Sequence, residues 1–224
     1  MRNILRNTHK YLSFFISLQL LLWTISGIYF AFNKIELVRG EQYRLTENFP
    51  INFDEVNFSR SDVQQVRAIN RLGKIIFIVS GNQGIEYLDA FGTPVGKLNK
   101  NEAFQIVSAS STLKPIDLEE ITEFTKGSEF RGRDLPLFKV TSLNKKDKKI
   151  NLYLNVFSGE ITAVRSLQWR VWDLMWGFHI MDWQTRDKMN NIFLKIFSIL
   201  ALVSSISGIL LFFKIDYKSK KYDQ

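Results

Sequence analysis

The chain has 224 residues, of which 46% are hydrophobic and 14% aromatic, with 19 Phe; this composition excludes a disordered polymer and leaves room for one domain or two small ones. The absence of cysteine excludes a disulfide framework, a thiolate zinc site, an iron–sulfur cluster and a cysteine nucleophile. With only two histidines, His9 and His179, a three-histidine metal site is excluded as well.

The formal charge of +8 would suit an anionic partner such as nucleic acid, but the position of the charges argues otherwise. Tyr11 to Phe32 is an uncharged run of about 22 residues, and Ile196 to Phe213 is a second of about 18, lengthened by residues 191–195; each is long enough to cross a bilayer as a helix. Arg2, Arg6 and Lys10 precede the first run, and Lys214, Lys218, Lys220 and Lys221 follow the second. The positive-inside rule then places both termini in the cytoplasm and the intervening residues outside it. The basic excess becomes a topology signal, and nucleic acid loses its support. Phe30-Ala31-Phe32 is a poor small-residue cleavage site, so the first run is expected to be an uncleaved anchor.

Between the runs the pattern is α+β. Lys74–Ser80 and Gly84–Asp89 read as strands joined by a turn at Gly81-Asn82-Gln83-Gly84; Leu137–Ser142 and Ile150–Val156 read as a second pair joined by Asn144–Lys149. Helices are expected before each pair, over Asp62–Arg71, Asn101–Ala109 and Asp117–Thr125, with Asp117 and Glu120 in a capping-box pattern. The segment from Tyr87 to Val95 aligns without a gap on Tyr153 to Ile161, sharing Tyr-Leu and Phe. That offset of about 66 residues suggests a duplicated small unit.

Residues 101–165, with Asn101-Glu102-Ala103 opening a helix, Arg133-Asp134-Leu135-Pro136-Leu137-Phe138-Lys139-Val140, and the ending Leu152 to Ile161, resemble a PepSY domain. Asn155 and Ser158 stand where that family usually has Asp and Thr. His9-Lys10-Tyr11-Leu12-Ser13, Ser26-Gly27, Phe178-His179-Ile180-Met181-Asp182 and Ser207-Gly208 are similar to the membrane helices of PepSY-associated transmembrane proteins. The resemblance implies an extracytoplasmic α+β domain, a duplicated helix-plus-antiparallel-β unit, on a two-helix transmembrane anchor in a bacterial cytoplasmic membrane. Its boundaries would be 1–33 for the N-terminus and first span, 34–99 for a degenerate PepSY-like unit and 100–168 for a PepSY domain. A Trp-rich interfacial helix at 169–187, a second span at 188–213 and a basic cytoplasmic tail at 214–224 complete the order. The family includes proteins implicated in ferric-siderophore reduction with haem between membrane helices, so the resemblance also implies a haem b cofactor.

Trp169, Trp172, Trp176, His179 and Trp183 step by three or four residues and, on a helix, fall within roughly 80° of one another. An aromatic belt at headgroup depth accounts for the tryptophans. It leaves His179 unexplained: the imidazole could bond Asp182 or water at the membrane surface, or present a nitrogen to haem iron. His9 could be a polar flank beside Arg6 and Lys10, or face a partner helix. The two lie about 30 Å apart across the hydrocarbon, so one haem cannot join them. A second copy or another membrane subunit would be needed, pairing His9 and His179 at two levels of a four-helix bundle. Ile25-Ser26-Gly27-Ile28 and Ile206-Ser207-Gly208-Ile209 supply small residues for close helix approach.

No Walker, GxGxxG, GxSxG or HExxH motif is present. Glu119-Glu120 and Asp54-Glu55 read as solvated charges, and Lys145–Lys149 as an exposed turn or, alternatively, a contact for anionic lipid. With no evident flavin or nicotinamide site, an electron-transfer role requires a separate cytoplasmic flavin reductase. The expected function is therefore haem-bearing transmembrane electron transfer of the ferric-reductase type. Its rival is a non-enzymatic PepSY module that regulates or scaffolds an envelope protein, or modulates a peptidase.

Overall fold

The computed structural model describes residues 2–45, 61, 63–82 and 84–219. The chain divides into two compact units, Met1–Lys34 with Val171–Gln224, and Ile35–Arg170.

The first unit contains two long apolar helices. Helix α1 (Arg2–Phe32) and helix α5 (Ile192–Ser219) contain stretches, Arg6–Phe32 and Ile192–Phe213, long and apolar enough to cross a membrane. They pack antiparallel: Phe15 stacks on Phe197 at 5.8 Å, and Ser13 Oγ lies 2.7 Å from Ser204 Oγ. Their outward faces carry bare apolar side chains, with Phe14 83% and Leu18 69% exposed. Water does not tolerate such a surface; lipid does.

Helix α4 (Leu167–His179) enters this unit at Val171 and lines the other half of α1. Trp172 and Trp176 meet Phe30 at 5.2 and 6.2 Å, while Gln19 Nε2 and Trp23 Nε1 donate to the carbonyls of Phe178 and His179. These bonds satisfy carbonyls that a helix C-terminus leaves open. Contacts running from Phe30 to Gln19 mean that α4 descends along α1. One face of α1 thus serves two partners in succession, α4 and then α5.

The second unit opens with a short helix, α2 (Ile35–Arg39), and holds two antiparallel sheets. Strands β1 (Val63–Arg71), β2 (Lys74–Gly81) and β3 (Gly84–Asp89) form the first in that order. Strands β4 (Lys114–Ile121), β5 (Leu137–Leu143), β6 (Lys149–Asn155) and β7 (Ile161–Arg165) form the second. Helix α3 (Lys100–Ser110) places Ala103, Ile106 and Val107 against Val140, Leu152, Leu154 and Val164 on one face of that sheet. Leu137, Tyr153 and Ala163 pack with Phe130 on the other, the alternation that a period of two requires.

Two expected helices are strands. Of the segment Asp62–Arg71, residues 63–71 pair with β2, because Leu72 and Gly73 both take positive φ (52° and 82°). That is the two-residue turn whose twist matches a hairpin, and the Asn70 side chain accepts from Gly73 N at 2.7 Å. The segment Asp117–Thr125 belongs through Ile121 to β4, paired with β5. Its Leu and Glu favour helix only weakly, and cross-strand pairing outweighs that preference. The capping box is formed instead by Asn99 and Glu102 at the start of α3, the helix that the sequence does place correctly. Both hairpins lie where expected, and the Lys145–Lys149 turn is exposed, with Asn144 Oδ1 accepting from Lys146 N and Lys148 N. Glu119 and Glu120 pair separately with Lys139 and Lys97. Asp54 and Glu55 lie outside the described residues.

The aligned segments make similar turns, each opened by a side-chain oxygen at the matched position. Asp89 Oδ1 accepts from Phe91 N and Thr93 N; Asn155 Oδ1 accepts from Phe157 N and Ser158 N. The strand then returns through Asp89 N to Thr93 O, or Asn155 N to Glu160 O, so the second turn is one residue longer. The two turns also touch: Tyr87 stacks on Phe157 at 5.1 Å, and Asn155 Nδ2 donates to Tyr87 Oη at 2.7 Å.

Candidate functional site

His9 sits on the α5-facing side of α1. Its Nδ1 lies 2.9 Å from Ser207 Oγ and 3.1 Å from Ser204 O. The Ser207 hydroxyl donates its own proton to Ser204 O at 2.8 Å, and a carbonyl only accepts. Both contacts are therefore satisfied when Nδ1 carries the ring proton, which assigns the tautomer and leaves a lone pair on Nε2. A Cβ added to Gly208 would come within 3.0 Å of His9 Cε1. Glycine there is what admits the ring.

His179 repeats the arrangement at the end of α4. Its Nδ1 lies 2.8 Å from Ser26 Oγ, and Ser26 donates to Leu22 O at 2.7 Å. Ser26 Oγ also lies 3.1 Å from Trp23 O; its hydroxyl can donate or accept, so the contact orients the ring in either tautomer, and the Nδ1-protonated one leaves the lone pair on Nε2. The ring lies nearly parallel to Trp176 (10°, 6.3 Å) with Phe30 edge-on at 5.6 Å. Neither Nε2 has a hydrogen-bond partner among the described residues.

The two imidazoles are not brought together. They meet opposite ends of α1, and from His9 to Ser26 the helix rises about 26 Å. Among the described residues no group of three or more His, Cys, Asp or Glu is placed to hold a metal ion. Haem would bring nitrogens of its own to its iron, so each level would ask the protein only for an imidazole. A neutral imidazole, oriented through Nδ1 and open at Nε2, fits that request.

The tryptophan stripe is divided. Trp169 lies in the sheet-bearing unit, against Arg165 at 4.2 Å. Trp172 and Trp176 flank His179's side of α1, and Trp183 is beyond the helix, packed on Phe193. The polar side of α4 is packed too: Asp173 is 1% exposed and receives Arg186 Nη1 at 2.8 Å. Asp182 does not meet His179. It accepts from Thr185 Oγ1 and from the backbone N–H groups of Thr185, Asp187 and Lys188, which hold its carboxyl well below the ordinary aspartate value against the opposing effect of burial.

Sequence reasoning missed Ser26 and Ser207 as histidine partners and read them only as small residues. The signal was present: each is the second residue of an Ile-Ser-Gly-Ile tetrapeptide. Ser13, Ser204, Gln19 and Trp23 were not singled out as site residues. No protein-family model, curated protein or solved structure matches the chain.

Proposed function

We propose that the chain is a membrane-anchored PepSY protein that takes part in transmembrane electron transfer, with His9 and His179 as axial haem ligands at two levels of the bilayer. The observation that carries this reading is the matched setting of the two histidines, each held at Nδ1 by a serine and each without a hydrogen-bond partner at Nε2 among the described residues. When bound, haem would supply one-electron chemistry, and His9 and His179 would be the residues that hold it, each through an imidazole nitrogen. Ser207 and Ser26 fix the rings and raise the basicity of Nε2, while Trp176 and Phe30 shield His179 with flat apolar surface.

Two spans are too few to enclose a porphyrin, so the second ligand at each level comes from a second copy or another membrane subunit, received on the bare faces of α1 and α5. Both termini lie in the cytoplasm and the sheet-bearing unit outside it, in the position for electrons to pass from a cytoplasmic flavin reductase toward an external ferric acceptor. The test is the absorbance spectrum of the full-length protein, purified from haem-replete cells in a detergent that preserves oligomers. A Soret band that weakens in His9→Ala and in His179→Ala is expected. No bound haem would overturn the reading in favour of a non-enzymatic scaffold or regulatory module.

A further inference from the structure

Sheet edge β7 bears a cleft of about 740 Å³ lined by Arg39, Arg44, Arg133 and Arg165, with Glu41 as its only carboxylate among the described residues and Trp169 in its wall. We propose that this cleft is an anion site for a phosphate group. Four guanidiniums against one carboxylate leave a formal charge of +3.

The site is built, not incidental. Gly40 takes φ +80°, and a Cβ there would lie 2.7 Å from Val164 Cγ1, so glycine lets the segment carrying Arg39 and Arg44 press onto β7. Arg44 Nη1 donates to Ile161 O at 2.9 Å, which fixes that side chain along the strand. Arg165 is 8% exposed, donates through Nε to Glu129 O at 2.7 Å and through Nη1 to Val164 O at 3.2 Å, and covers the Trp169 ring. Its Nη2 has no protein partner among the described residues. Glu129's carboxylate is engaged by Arg170, Asn151 and Tyr153 and supplies no ion pair to Arg165.

Burial and then the neighbouring Arg133 lower Arg165 to about 10, and burial together with Arg133 also lowers Arg44. Guarding an exposed strand edge takes one or two charges. Crowding three guanidiniums onto a fourth that is buried is unfavourable until a multiply charged anion joins them. Guanidinium forks fit phosphate oxygens bidentately. The phosphate could belong to a lipid headgroup or to a soluble compound, and either would meet the same donors.

The experiment is calorimetric titration of the detergent-solubilised full-length protein with inorganic phosphate and, separately, with dihexanoyl phosphatidylglycerol. Binding that weakens at least tenfold in Arg133→Glu and Arg39→Glu, both at exposed positions, and is unchanged in Lys146→Glu, supports the site. Phosphatidylglycerol at least tenfold tighter than phosphate identifies a headgroup; the reverse order identifies a soluble ligand. No binding of either at millimolar concentration, equal binding in the Arg133 variant, or equally good competition by acetate would overturn the proposal. A haem spectrum has no bearing on this outcome, so failure here leaves the electron-transfer reading standing, and the converse holds.

Discussion

Ser26 and Ser207 hold matching places in two Ile-Ser-Gly-Ile tetrapeptides, and each hydroxyl meets the Nδ1 of one of the chain's two histidines, at 2.8 and 2.9 Å. The Ser207 hydroxyl hands its own proton back to its helix at Ser204 O, and Ser26 has Leu22 O and Trp23 O within reach in the same way. A lone serine of this kind bends or loosens a helix slightly. At Ser207 it becomes an acceptor that, with Ser204 O, dictates the His9 tautomer.

Ser26→Ala should therefore release His179 without removing it. Haem retention is expected to fall about 10- to 100-fold, the usual effect of losing the group that orients a histidine ligand. Ser207→Ala should do the same for His9. Haem content per chain after purification measures both, and unchanged content in either variant would separate that serine from ligation.

Gly208 and Gly27 occupy matching tetrapeptides but different surroundings. A Cβ at Gly208 meets His9 at 3.0 Å, whereas one at Gly27 meets nothing within 4 Å. Gly208→Ala should destabilise the α1–α5 pair by about 1–3 kcal/mol through overpacking, while Gly27→Ala should be neutral or stabilising by helix propensity. Thermal unfolding in detergent distinguishes them, and equal melting temperatures would contradict the His9 packing.

Glu129 ties the loop before β5 to α4. Burial alone would raise its pKa, but Arg170, with Asn151 and Tyr153 donating, holds the carboxyl below the ordinary glutamate value. A carboxylate with a lowered folded pKa stabilises fully at neutral pH and loses that contribution as pH falls below about 4.3. Glu129→Gln should melt well below the parent at pH 7, by about 1–3 kcal/mol, and the difference should close toward pH 3. A pH-independent gap would show that charge is not what the site supplies.

The topology has a direct measurement. Lys146→Cys lies in the exposed β5–β6 turn, and an impermeant maleimide should label it on intact cells. Asn3→Cys should react only after permeabilisation. The opposite pattern would reverse the proposed orientation and with it the placement of His9.

The legible parts of the fold were those with strong local chemistry. The apolar runs, the Gly81–Gly84 turn and the Asn144–Lys149 turn state their conformations within a few residues. Strands β1 and β4 do not. Val63–Arg71 and Lys114–Ile121 are rich in Gln, Arg, Glu and Lys, and only their neighbours β2 and β5 make them strands. In the candidate site, His9 and His179 stood out by scarcity, and a fixed step of three and four gathered the tryptophans onto one helix. That step cannot say where a helix stops. His179 ends α4 and Trp183 falls beyond it. The serines were hidden for a different reason: their partners are 153 and 198 residues away, and no local pattern spans that distance.

The contact of Gly40 with Val164 has a bearing on assembly order. Holding His9 against Ser207 closes a loop over 198 residues, and closing an unstructured insert the length of the sheet-bearing unit would cost about 4–5 kcal/mol in chain entropy. Once β7 has folded against the segment at Gly40, positions 40 and 164 already touch, and only short tethers separate them from α1 and α4. The distant helices then meet as if they were near neighbours in the chain. Folding of the sheets thus acts as the clasp that makes helix pairing cheap, and a lesion in that clasp, such as Gly40→Val, would reach the histidines without touching either one.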